Sequence, residues 1–118
     1  MIKQYVEIIT DFQAIHNWPE CQIEEVKFLR NPHRHKIIVI VKIETDKDRQ
    51  IEFFMLKNEV DDIIDKLFSN ERTKKLGRMS MEEISSKIVN ELVKKYNCYI
   101  EVSASEDGQV RGIIEYAP

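Results

Sequence analysis

From Lys3 to His16 polar and apolar side chains alternate, the period of a half-buried β-strand. Val6, Ile8, Phe12, Ala14 and His16 fall on one face, because strand side chains return to the same side every second residue. Asn17-Trp18-Pro19 ends the run, since proline cannot donate to a ladder. Val26 to Leu29 predicts a short strand after a loop, and Asn31-Pro32 marks a turn. His33 to Glu44 is rich in Ile and Val and reads as a second long strand. Asp46-Lys47-Asp48 then predicts a hairpin turn into a strand over Gln50 to Met55.

The period changes next. Leu56, Val60, Ile63, Ile64, Leu67 and Phe68 are spaced as one stripe of an amphipathic helix. Residues 69 to 79 are polar and basic, include Gly77, and predict a loop. Ser80-Met81-Glu82-Glu83 has the spacing of a capping box and opens a second helix, with Met81, Ile84, Ile88, Leu92 and Tyr96 on its apolar stripe. Alternation resumes through Tyr99-Ile100-Glu101-Val102-Ser103, turns at Glu106-Asp107-Gly108 and closes with Val110 to Tyr116 as a hairpin partner. The expected architecture is α+β, in the order β-β-α-α-β-β, with an antiparallel four-stranded sheet and two helices on one face. The alternation over Ile37 to Ile43 is apolar on both faces, with Ile38 and Ile40 opposite Ile37, Val39, Val41 and Ile43. Strands of that kind are normally buried on both sides, so a symmetric homo-oligomer is expected.

With 118 residues, 42% of them hydrophobic and 33% charged, the chain suits one globular domain spanning residues 1–118. A formal charge of -3 argues against a nucleic-acid polymer as partner. Cys21 and Cys98 lack a C-x-x-C spacing and predict no disulfide framework. Residues 1 to 12 show no apolar leader, and Ile37 to Val41, the longest apolar run, is too short for a bilayer; a cytoplasmic protein is expected.

The chemistry concentrates in His33-Arg34-His35. His33 and His35 share a strand face, and His16 ends the neighbouring strand, so all three imidazoles of the chain can converge at one end of the sheet. Three imidazoles are a known catalytic zinc set with an open fourth position. The plain alternative is three polar residues hydrogen-bonded at a sheet edge or touching a ligand; that alternative is preferred, with no cofactor and no catalytic residue, and zinc on His16, His33 and His35 is kept as the second possibility. Arg30 and Arg34 lie by a turn where a guanidinium fork can grip a pyrophosphate, and Arg111 follows the last tight turn. Trp18 and Phe28 are candidate stacking platforms for a purine. Neither cysteine has an adjacent base, so both read as inert thiols.

Phe12-Gln13-Ala14-Ile15-His16, Cys21 ahead of the H-x-H strand, Glu52-Phe53-Phe54-Met55-Leu56-Lys57 opening the first helix and the capped second helix together resemble 6-pyruvoyl-tetrahydropterin synthase and its relatives. The resemblance implies the tunnelling fold, an assembly that is a dimer or a hexamer built from trimers or dimers, zinc on His16, His33 and His35, a nucleophilic or acid-base cysteine near Cys21 and a pterin-anchoring glutamate near Glu106. That family's Asp-His proton-transfer pair has no counterpart, because residues 58 to 80 hold no histidine, and Arg34 stands where the family usually has glycine. Phe28-Leu29-Arg30-Asn31-Pro32-His33-Arg34-His35, Asp48-Arg49-Gln50-Ile51-Glu52-Phe53-Phe54 and Glu106-Asp107-Gly108 also resemble the short phage proteins of the type-one Thoeris anti-defence family. This second resemblance implies a non-catalytic sponge that sequesters cyclic ADP-ribose-type signals, and in some members cyclic oligonucleotides, in the host cytoplasm. Arg30, Arg34 and Arg111 would hold the phosphates, Phe28 or Trp18 the base and Asp107 a ribose hydroxyl, across a subunit boundary. The sponge is the leading expectation, and a zinc-dependent pterin-type lyase the alternative.

Overall fold

The alternation read from Lys3 becomes β1 (Gln4–His16) in a computed structural model that describes all 118 residues. The Ile/Val-rich run becomes β2 (His33–Thr45) and pairs antiparallel with β1 from Gln4 opposite Thr45 to His16 opposite His33. There follow α1 (Phe53–Phe68), β3 (Thr73–Gly77), α2 (Met81–Leu92), β4 (Ile100–Glu106) and β5 (Val110–Tyr116). Across the sheet the order is β3-β1-β2-β4-β5, antiparallel throughout except that β3 runs parallel to β1. The class is α+β as expected, with five strands instead of four.

Both helices lie on one face of the sheet. Ile8 and Phe12 of β1, the odd-numbered residues from Ile37 to Ile43 of β2, and Ile100 and Val102 of β4 form one core with Leu56, Val60 and Ile64 of α1 and Ile84, Ile88 and Leu92 of α2. Burying side chains of this size contributes about 1.5–3 kcal/mol each before conformational entropy is counted. The Ser80 hydroxyl accepts from the Glu83 amide at 3.1 Å, which starts α2 where the capping pattern placed it. Gly112 of β5 is needed for the approach of that first turn, since a Cβ there would sit 2.4 Å from the Glu82 nitrogen. Ser85 Oγ donates to the Gly112 carbonyl at 2.8 Å and fastens the contact.

Three local expectations are corrected. Residues 69 to 79 are not all loop, because Thr73–Gly77 forms β3 beside the end of β1. Lys74 sits at a buried position of this strand. Its ammonium donates to Asp65 Oδ1 at 2.8 Å, to the Ser69 carbonyl and to the Glu71 carbonyl at 3.4 Å, which satisfies a buried charge at the C-terminal end of α1. Val26 to Leu29 is not a strand but part of a 3-10 segment, Glu24–Arg30, kinked at Val26 and with no buried residue. Gln50 to Met55 forms no strand either. Gln50 Oε1 accepts the amides of Asp46 (2.6 Å) and Lys47 (3.4 Å), and Glu52 caps α1 by accepting from Phe54 and Met55. The helix therefore claims residues 53 to 55.

The face away from the helices carries Ile9 and Ile113, both exposed, and Ile38 and Ile40, both half-buried. β3 pairs with β1 only over Gln13–His16, so the outer edge of β1 from Gln4 to Phe12 has no partner strand, nor has that of β5. No helix is long and apolar enough to cross a membrane.

Candidate metal site and cleft

The β1–β2 register sets His16 directly opposite His33, with His35 two residues on and on the same face. Glu106 ends β4 opposite Ile37, one further step along that face. The strand ends thereby gather four side chains near the start of α2. One ligand atom from each of His16, His33, His35 and Glu106 falls within 4.8 Å of the others. The ring centroids are 4.5 Å apart for His16 and His33, 4.9 Å for His33 and His35, and 5.9 Å for His16 and His35.

Outer hydrogen bonds orient each ring. His16 Nδ1 lies 3.2 Å from the Met79 carbonyl and His33 Nδ1 2.9 Å from the Asn31 carbonyl. A carbonyl only accepts, so both rings carry hydrogen on Nδ1 and turn Nε2 inward. His35 Nδ1 donates to Asp107 Oδ2 at 2.8 Å, and Asp107 Oδ1 accepts the Lys36 amide at 3.1 Å. The His35 bond, followed by the Lys36 amide, holds the Asp107 carboxyl below the usual carboxylate range. Asp107 adopts φ 56°, a left-handed backbone that aspartate tolerates at a turn.

The inner atoms turn toward one carboxylate. His16 Nε2 lies 2.8 Å from Glu106 Oε1 and His35 Nε2 3.3 Å from Glu106 Oε2, whereas His33 Nε2 is buried and has no partner. A lone pair facing a carboxylate oxygen at that distance is repulsive unless a positive species stands between them, either a proton or a metal ion. Three imidazoles around one carboxylate, each ring fixed by an outer acceptor and His33 Nε2 without a partner, fit the donor set of a zinc-type ion.

His16, His33 and Glu106 of the cluster line a cleft of about 480 Å³ together with Asn17, Trp18, Leu29, Arg78, Met79 and Glu82, and His35 lies behind them. Trp18 is the one proposed stacking residue on this cleft. Arg30 Nε donates to the Cys21 carbonyl at 2.6 Å, bracing the 3-10 segment. Phe28 is 65% exposed on that segment and does not line the cleft. Arg34 pairs with Ile15 and Arg111 with Ser105, which puts both on the opposite face of the sheet from the histidines. Strand spacing separates these two arginines by roughly 10 Å across the sheet and roughly 13 Å along it. Cys21 is fully buried, with Sγ 3.9 Å from the Ile23 carbonyl and 3.8 Å from that of Val26, and is not on the cleft. Glu106 as a partner of the histidines escaped the sequence reading, because only the β2–β4 register brings it there.

Over nearly its full length the structure superposes on solved proteins. Plasmodium falciparum 6-pyruvoyl tetrahydropterin synthase matches with a TM-score of 0.71 at 20% identity, covering 98% of this chain and 99% of that one. The synthase from Caenorhabditis elegans matches at 0.67 and 16% identity over 100% and 97%. An uncharacterized Wolinella succinogenes protein, WS1659, matches at 0.69 and 12% identity over 97% and 98%. The chain has the tunnelling fold. No protein-family model and no curated protein matches its sequence, and at these identities the likeness extends to the fold alone.

Proposed function

We propose that this chain is a zinc-dependent protein of the pterin-lyase type, in which His16, His33 and His35 hold the ion at the floor of the cleft. The observation that carries the reading is the convergence of three imidazoles on one carboxylate, with His33 Nε2 buried there without a partner. When bound, such an ion supplies Lewis-acid polarisation of a substrate oxygen. The chain's own residues do the rest. Trp18 gives a flat apolar wall, Arg78 a cation at the rim, and Met79 and Met81 close the side under α2.

Metal analysis of the purified protein, followed by incubation with reduced pterins and product chromatography, tests the reading. About one zinc per chain and a converted pterin support it; a metal-free protein that takes up neither zinc nor cobalt overturns it.

One observation favours a second reading, that of a sponge for a cyclic ADP-ribose-type signal. The cleft lacks a cysteine, because Cys21 is sealed beneath the 3-10 segment, and residues 58 to 80 supply no histidine for proton transfer. Binding without conversion needs neither. Since Arg34 and Arg111 lie across the sheet from Trp18, a pocket using all of them closes only between subunits. Intact cyclic nucleotide released on denaturing the protein, with no pterin turnover, would move the assignment to the sponge.

A further inference from the structure

We infer that Glu106 is a fourth metal ligand, so that the resting site is closed and formally neutral instead of open to water. The inference rests on the metal reading above and goes beyond the three-histidine set.

Four-coordinate zinc with nitrogen and oxygen ligands has metal-ligand distances near 2.1 Å, so its ligand atoms stand roughly 3.3 Å apart. The two Glu106 oxygens divide between the rings, Oε1 2.8 Å from His16 Nε2 and Oε2 3.3 Å from His35 Nε2, and one atom from each of the four residues lies within 4.8 Å of the others. The carboxylate thus stands among the imidazoles, within a small shift of the position a water would take in an open site. Its chain position leaves little freedom to withdraw. Glu106 is the last residue of β4, opposite Ile37 on one side and Val110 on the other, and the next residue is tied back to β2 through the Lys36 amide.

Charge points the same way. Three neutral imidazoles leave a divalent ion its full charge, which is what makes an open zinc site acidic toward water. Here Glu106 contributes one negative charge directly and Asp107 another through His35. The ion's charge is then cancelled locally, and a ligand entering from the cleft must compete with Glu106 for the fourth position.

Cobalt substitution reads this directly. Apo protein prepared with a chelator is loaded with Co(II), its visible spectrum is recorded, and azide is added as a small probe anion. The wild-type spectrum is expected to be that of a four-coordinate ion and to stay unchanged on adding azide. Glu106→Gln and Glu106→Ala should bind Co(II) more weakly by on the order of tenfold or more, and their spectra should shift with azide. Circular dichroism of each apo variant separates ligand loss from unfolding, and Glu106→Asp, which keeps the charge but retracts it, should recover part of the affinity. A wild-type spectrum that shifts with azide as the variants' spectra do overturns the fourth-ligand assignment while leaving the three histidines in place. Failure of the wild type to take up Co(II) overturns both readings.

Discussion

Asp107 touches no cleft ligand atom, yet its carboxylate decides which nitrogen of His35 faces inward. Replacing such an outer partner typically weakens metal affinity by about 10–100-fold. Asp107→Ala is expected to do so in a competition titration against a chromophoric chelator, with the fold retained, since Asp107 is exposed. Asp107→Asn, whose carbonyl oxygen still accepts one bond, should fall between the two. Cys98 offers a second check at the scale of one side chain. Burial pushes its thiol up, and the carboxylates of Glu44 and Asp46 push it further. Iodoacetamide at about pH 8 should therefore label Cys98 more slowly in the native chain than after unfolding, the thiolate being the reactive form. Equal rates would remove that account of its surroundings.

The helices are joined by charge as well as packing. Glu91 of α2 accepts from Lys66 of α1 at 3.1 Å and contacts Lys94, and the Lys94 and Lys66 bonds hold its carboxyl below the usual range. A depressed folded value means the stabilisation is present above the unfolded value, near about 4.3, and fades as pH falls through the folded one. Glu91→Gln should accordingly flatten the loss of urea resistance between about pH 5 and about pH 3. Gly112→Ala tests the seat of α2 on β5; the methyl meets backbone, so a loss of about 1–3 kcal/mol is expected by denaturant titration. The elements that could be read from sequence were those whose burial follows one period, such as the stripe of α1 and the capped start of α2. β3 was illegible because a lysine fills a core-side position there, which is tolerable only with Asp65 and two carbonyls folded around it. The Gln50–Met55 strand failed because Glu52 satisfies helix amides, a choice alternation does not reveal. Within the site the H-x-H pair was visible, whereas Glu106 arrives through strand pairing across most of the chain.

For the whole molecule the open sheet face and unpaired edges carry the main expectation. Ile9, Ile38, Ile40 and Ile113 form an apolar band with nothing over it, and the outer edges of β1 and β5 present unpaired backbone groups. Sedimentation velocity at micromolar concentration should show an assembly of several chains; a single monomeric boundary would contradict it. Lys and Glu substitutions at Ile9 and Ile113 should shift that boundary toward the monomer without lowering metal content.

β1 and β2 run side by side for thirteen residues, roughly 40 Å. A slip of one residue between them would expose every core side chain, but a slip of two keeps the same faces buried and is nearly silent to the hydrophobic effect. One two-residue slip sets His16 opposite Asn31, and the other sets it opposite His35. The last rung of the ladder thus works as a one-sided stop for the other twelve: an ion captured there disfavours the slip toward Asn31, which hydrophobic alternation alone leaves open.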